Sequence, residues 1–483
     1  MALLDEAADE LASLDRALEA RAGSNPAIVE LPPMHTVLCP ADRFGPDTFT
    51  QFGITAWESM VGHGPDPHSF AMALGVYQPG QLPRSSVQAM QARRFREDPQ
   101  ALRHEDFDAW LVHAVHARVQ QRLESRPVED LRIDFEGGYG TRDDAEEDRH
   151  AKGAAESIAD ATERGVVSPR LGLRIKPLSR RAVGRAVRTL EVFIDTLSGC
   201  LQRQPTELVL TLPQVSLPEQ VSTAAHLLSV LEQRHRWAPG LVRMELLVET
   251  TPALFDEAGR CALPRLVGAA EGRCVAVHLG SEDLARACGL APELADGEHP
   301  LSDLARGLLR LALGRTEVTL SDSITGPLPE GPHPLSGPLS AAQRSDNLAA
   351  VHRAWRRGHA QILHALRQGF YHGWDRHGAE IPVRCAANYR FFLLRFDEAA
   401  TQLRELLTHA TSAVVPDQHG SSTRHGQRLL DFVRRAHRCG AIGQVELERV
   451  GLEPAELDQP RFVELVAHRR ARALEGSEAH GRL

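Results

Sequence analysis

The chain has 483 residues, 42% of them hydrophobic and 25% charged, with a formal net charge of −9. That is enough chain to bury a sizeable core in an ordinary globular composition, which excludes a disordered or fibrous protein. The mild acidity excludes nucleic-acid binding driven by global charge, and in the absence of any run of about 18 apolar residues no transmembrane helix and no membrane partner are expected.

In chain order, the opening stretch, about 2–22, is acidic and places apolar residues at helical spacing. It has neither the basic head of a signal peptide nor the Arg/Ser bias of a transit peptide, so a helix and a cytoplasmic protein are expected. HTVLCPA (35–41) reads as the first strand, closed by Pro40. Residues 42–130 exceed what one connecting helix needs and predict an insertion, with a helix at 105–125. Further strands are predicted at LRIDFEG (131–137), LGLRIKP (171–177), ELVLTLP (207–213), RMELLVE (243–249), CVAVHLGS (274–281), TEVTLSD (316–322) and QGFYHGW (368–374). Helical segments at 180–203, 217–234, 253–270 and 301–314 fall between them. Strands alternating with helices predict an α/β protein with a parallel sheet, and eight units favour a closed (β/α)8 TIM barrel over an open doubly wound sheet. Residues 323–345, rich in Pro, Gly and Ser, read as a long loop, and after about 385 the pattern is purely helical. The expected organisation is an N-terminal helix and lead-in (1–34), a barrel (35–384) carrying the insertion at about 42–130, and a helical extension (385–483).

Seven cysteines lie far apart, with no CxxC pair, which speaks against a disulfide framework or a thiolate zinc site. No Rossmann, Walker-A or G-x-S-x-G signature is present. The run 143–148, Asp-Asp-Ala-Glu-Glu-Asp, is expected to open a helix, where the dipole favours acids. The aromatics of 370–374 and 389–392 read as packing.

In a βα barrel the carboxyl ends of the strands carry the chemistry. The second predicted strand ends in Asp134 and Glu136, which alternation puts on one side, and the third contains Arg174. The fifth ends at Glu249, the sixth leads through Gly280-Ser281-Glu282 into Asp283, and the seventh ends at Asp322. Carboxylates there must be solvated, paired or metal-bound. Oxygen ligands without Cys or His clusters favour Mg²⁺ or Mn²⁺ over zinc. Glu249 and Asp283 suit that demand, and Arg174 suits a substrate carboxylate or enolate oxygen. The plain alternative is a set of solvated strand ends and salt bridges.

The stretch LLVETTPALFDEAG…RCVAVHLGSEDLARACGL resembles the HpcH/HpaI aldolase and citrate lyase β-subunit superfamily, a phosphoenolpyruvate/pyruvate-type barrel. A strand ending in Glu-Thr is followed there, one βα unit later, by Gly-x-x-Asp-Leu-Ala. The resemblance implies Mg²⁺ ligation by Glu249 and Asp283, with more residues between them than the family usually has. LRIDFEGGYG is similar to the family's Asp-Leu-Glu-Asp pattern at Asp134 and Glu136, with Gly137 in place of the second acid. LRIKP resembles the strand carrying the substrate-binding arginine, here Arg174, and LTLPQVS resembles Leu-Pro-Lys-Val, with Gln214 replacing Lys. GFYHGWDRHGAEIP resembles the closing Gly-x-x-Gly…His-Pro motif at His377, with Gly378 in place of Pro. The resemblance implies a Mg²⁺-dependent carbon–carbon lyase working through an enolate of a 2-oxo acid or hydroxyacyl-CoA. Asp134 and Glu136 would orient Arg174 or bound water. His377 and Asp322 are base candidates by position alone. Two rivals stay open: a phosphoenolpyruvate-utilising phosphotransferase on the same barrel, and a non-catalytic metabolite-binding barrel. The C-terminal helices leave room for a homo-oligomer.

Overall fold

The computed structural model describes residues 12–13, 31–77, 80–314, 316–334, 337–412 and 421–480. The opening helix expected at 2–22 falls almost wholly outside them. The eight apolar runs all form strands: β1 (His35–Pro40), β2 (Asp130–Asp134), β3 (Arg170–Arg174), β4 (Leu208–Leu212), β5 (Val242–Val248), β6 (Cys274–Leu279), β7 (Thr319–Ser323) and β8 (His372–Asp375). Every neighbouring pair is parallel, and β8 returns to β1 through His35 opposite Gly373, closing the (β/α)8 barrel.

Between β1 and β2 lie five helices, α1 (Thr48–His63), α2 (Pro67–Ala73), α3 (Ser85–Glu97), α4 (Pro99–Glu105) and α5 (Phe107–Ser125). Local chemistry starts them. Asp66 accepts from the backbone N–H groups of His68 and Ser69 ahead of Pro67, and Asp106 accepts from that of Ala109. The acidic run opens α6 (Asp144–Glu163), with Asp143 as its cap. The barrel then continues through α7 (Val183–Cys200) and α8 (Pro218–His235).

Between β5 and β6 the structure departs from expectation. The predicted single helix at 253–270 is two short ones, α9 (Thr251–Leu254) and α10 (Leu263–Gly268). The break has a local cause. Asp256 accepts from the N–H groups of Ala258 and Arg260, Gly259 takes φ 72°, and Phe255 bridges Cys261. An aspartate that bonds its own downstream backbone offers the chain a turn in place of a helix.

The remaining helices are α11 (Ser281–Ala287), α12 (Pro300–Leu313), α13 (Ala341–Arg367), α14 (Ile381–Ser412), α15 (Ser421–Arg438), α16 (Gln444–Val450) and α17 (Phe462–His480). The helix following β8 is α14, so residue 385 lies in its second turn; α14 packs on α5, α13 and α15.

The barrel interior is unusually polar, where branched aliphatic residues commonly dominate. Arg132 on β2 is 3% exposed, pairs with Asp130 and lies 3.5 Å from Glu245 on β5. Thr211 donates to Glu245 at 2.8 Å. Gly172 on β3 makes this possible, because a Cβ there would lie 2.9 Å from Arg132 Cδ and 2.0 Å from the Val209 carbonyl oxygen. One guanidinium thus serves two buried carboxyls, an opposite charge beside each acid being the condition under which such burial is tolerated.

Candidate active site

The carboxyl end of β2 is a binding loop for Asp134's own carboxylate. Glu136 and Gly138 donate their backbone N–H groups to Oδ1 and Oδ2 at 2.9 and 2.7 Å. The same carboxylate receives Nε and Nη2 of Arg174 from the neighbouring strand, each at 2.7 Å. A two-point pair of this kind fixes the plane of the guanidinium as well as its position. Burial works against Asp134's charge, but Arg174 outweighs it and holds the carboxyl below its ordinary pKa. Burial likewise opposes the charge on Arg174, and Asp134 more than offsets it. Arg174 Nη1 lies 3.4 Å from Glu136 Oε2. The Gly137 that departs from the family pattern has a steric reason, since a Cβ there would sit 3.0 Å from Arg174 Nη2.

Below Arg174 is an apolar floor. Its guanidinium carbon lies 5.6 Å from the Trp374 ring, and Trp374 clusters with Leu38 and Leu247 inside the barrel. His278 stacks on Trp374 at 3.6 Å, with its ring nitrogens 2.6 and 2.7 Å from the hydroxyls of Ser321 and Ser323. Burial drives its pKa well down, so the imidazole is neutral.

Glu249 follows β5 and is 7% exposed. Its Oε1 accepts the backbone N–H of Gln214 at 2.6 Å, and Gln214 adopts a left-handed φ of 50° to deliver it. Strain in a non-glycine residue at such a point is the kind that persists when surrounding structure demands it. Gly280 makes room from the other side, because a Cβ there would lie 2.8 Å from Glu249 Cβ. Burial raises the Glu249 pKa to about 8, and the negative charges of Asp283 and Glu136 add to the rise. Burial also raises the pKa of Glu136. The three carboxyls thus share one field.

The structure brings Asp134, Glu136, Arg174 and Glu249 together, with Asp283 acting on them electrostatically from the first turn of α11, where it is half exposed and paired with Arg286. Asp322 and His377 have partners of their own outside the cluster. Asp322 is buried against Arg306 at 2.6 Å and accepts from Ser281 and the Ser323 N–H, so its lone pairs are occupied. His377 caps the turn before α14 and lies 3.3 Å from Glu330. The sequence reading missed the Gln214 N–H and His278 and took Trp374 for packing alone. Alternation along β6 and β8 could have flagged the two rings, since His278 and Trp374 are inward positions next to the strand ends. Nothing local marks the φ of Gln214.

Among the described residues no group of three or more His, Cys, Asp or Glu side chains is arranged to hold a metal. Mg²⁺ needs only one or two carboxylates, its remaining positions filled by water and substrate oxygens. The donors here are all oxygen, and a carboxyl that burial, helped by two neighbouring acids, holds protonated to about pH 8 is one whose charge a hard divalent cation would compensate. No helix of the described residues is long and apolar enough to cross a membrane.

Fold and site together define a closed parallel (β/α)8 barrel with an arginine–carboxylate cluster at the carboxyl ends of β2, β3 and β5. The chain belongs to the family described as a domain of unknown function, DUF6986, whose sequence model matches residues 13–465. No curated protein matches the chain. Similar solved structures include three of Haloferax volcanii malate synthase. Its lead(II) complex has a TM-score of 0.37 and 12% identity, covering 67% of this chain and 89% of that one. The pyruvate/acetyl-CoA ternary complex has a TM-score of 0.37 and 13% identity, covering 68% and 90%. The magnesium/glyoxylate complex has a TM-score of 0.37 and 13% identity, covering 67% and 88%.

Proposed function

We propose that this chain is a Mg²⁺-dependent carbon–carbon lyase of the HpcH/HpaI aldolase and citrate lyase kind, acting on a 2-oxo acid or hydroxyacyl-CoA through an enolate. The observation that carries the reading is Arg174, locked in plane by Asp134 beside the buried, proton-retaining carboxyl of Glu249. Glu249 and Asp283 would hold the cation, which supplies Lewis-acid stabilisation of negative charge developing on a substrate oxygen.

The chain's own residues do the rest. Two of Arg174's five N–H groups are engaged by Asp134 and Nη1 lies beside Glu136, which leaves the remaining N–H groups to donate to a carboxylate or enolate oxygen. Because Asp134 is itself held by two backbone N–H groups, the guanidinium does not have to reorganise as charge builds. Trp374, Leu38 and Leu247 exclude water beneath it, which strengthens its attraction for an anion. Glu136, with its raised pKa, is placed to take or return a proton at Oε2.

Calorimetric titration of Mg²⁺ and oxalate, an enolpyruvate mimic, into the wild type and the Glu249→Gln and Asp283→Asn variants tests the proposal. Metal-dependent oxalate binding, lost in both variants, is expected. A wild type that binds neither would overturn the assignment and leave a barrel without this chemistry.

A further inference from the structure

A second site lies away from the barrel mouth. Helices α2, α5, α13 and α14 enclose a cavity of about 450 Å³ whose walls are largely apolar, among them Phe70, Leu111 and Val115. The size and lining are those of small-molecule pockets. None of the residues of the Arg174 cluster borders it.

The wall also carries a charge. Arg390, on α14, lines the cavity and forms no ion pair among the described residues. Burial lowers its pKa, and the like charges of Arg367 and Arg395 add to the cost, opposed by Asp108, which lines the same cavity. His359, on α13, is 5% exposed. Burial and the neighbouring Arg390 charge push its pKa down to about 3, so the ring is neutral and offers Arg390 no counter-charge. Leaving a guanidinium partly desolvated without an anion is expensive. That cost falls if an occupant of the cavity supplies the anion.

We propose that this cavity binds a medium-chain carboxylate, with the carboxylate on the Arg390 guanidinium and the hydrocarbon against Phe70, Leu111 and Val115. An apolar molecule without charge would leave Arg390 unpaired. A compact hydrophilic anion would leave the apolar wall wet. The Asp108 carboxylate adds repulsion that restricts the ligand to a single negative group.

Calorimetric titration of the full-length protein with decanoate and decanol tests this. Decanoate is expected to bind more tightly. Arg390→Met should weaken decanoate by about tenfold or more and leave decanol unchanged. Leu111→Trp, which fills the cavity, should remove binding of both, and Arg174→Met should remove neither, which separates this site from the barrel mouth. Thermal melts of each variant establish that it is folded. Absence of acid binding to the wild type, equal binding to the folded Arg390→Met variant, or loss of binding in Arg174→Met would each overturn the proposal.

Discussion

At the residue scale, Glu249 is the most consequential group, because its proton ties stability to cation binding. A carboxyl whose pKa is raised in the folded state keeps its proton longer there than in the unfolded chain. Its contribution is therefore intact below the ordinary value of 4.5 and is lost as pH rises toward about 8. Without divalent cation, the wild type is expected to lose stability relative to Glu249→Gln over that window, by on the order of a few kcal/mol. Urea unfolding of both proteins at several pH values checks it, and parallel curves would sink the idea. Added Mg²⁺ should restore the wild type above pH 8 and leave the variant unmoved. Asp134 makes the opposite demand. Asp134→Asn strips the charge that matches a buried Arg174, so it should cost about 3–5 kcal/mol in the same assay and abolish oxalate binding. A loss under about 1 kcal/mol would show that Arg174 finds another partner.

At the element scale, the turn after β4 shows how a strand end becomes a site. Gln214 contributes its backbone, not its side chain, to Glu249. Gln214→Gly should therefore keep oxalate affinity within about twofold and gain up to ~1 kcal/mol from relief of the positive φ. Gln214→Pro removes the N–H, cannot adopt that φ, and should lose binding. If the glycine variant loses binding as well, the amide side chain matters and the backbone assignment is wrong. The β strands were legible because runs of Leu, Val and Ile closed by Gly, Pro or an acid are hard to read otherwise. The stretch 253–270 was misread because its apolar spacing is helical on both sides of a turn that Asp256 and Gly259 impose. The pairing of Arg132 with Glu245 was not legible at all, since the two lie on strands far apart in the chain and meet only across the barrel.

At the scale of the whole molecule, the helices before β2 and after β8 are joined by charge as well as packing. Arg118 on α5 pairs with Glu446 on α16 at 2.6 Å, and Arg103 on α4 pairs with Asp397 on α14 at 2.7 Å. Both arginines reach across from the inserted helices to the C-terminal ones, and α5 is buried along much of its length. The chain is therefore expected to unfold in a single transition, with circular dichroism and tryptophan fluorescence coincident, Trp110 reporting from α5 and Trp374 from the barrel. Two separated transitions would show that the inserted helices fold on their own.

The sequence by itself determined the barrel. Eight apolar segments at βα spacing, each ending in residues that stop a strand, leave few other ways to bury that surface. It also placed Asp134, Glu136, Arg174 and Glu249 at strand ends, because strand alternation is a local property. Only the tertiary structure decided which of those groups meet, and how. It gave Arg174 its bidentate partner, gave Glu249 its elevated pKa through burial and two neighbouring charges, and drew Asp322 away into a pair with Arg306. The cavity beside His359 is likewise a product of packing. Periodicity reports which face of an element is buried, but charge, proton affinity and empty volume depend on what lies across from it.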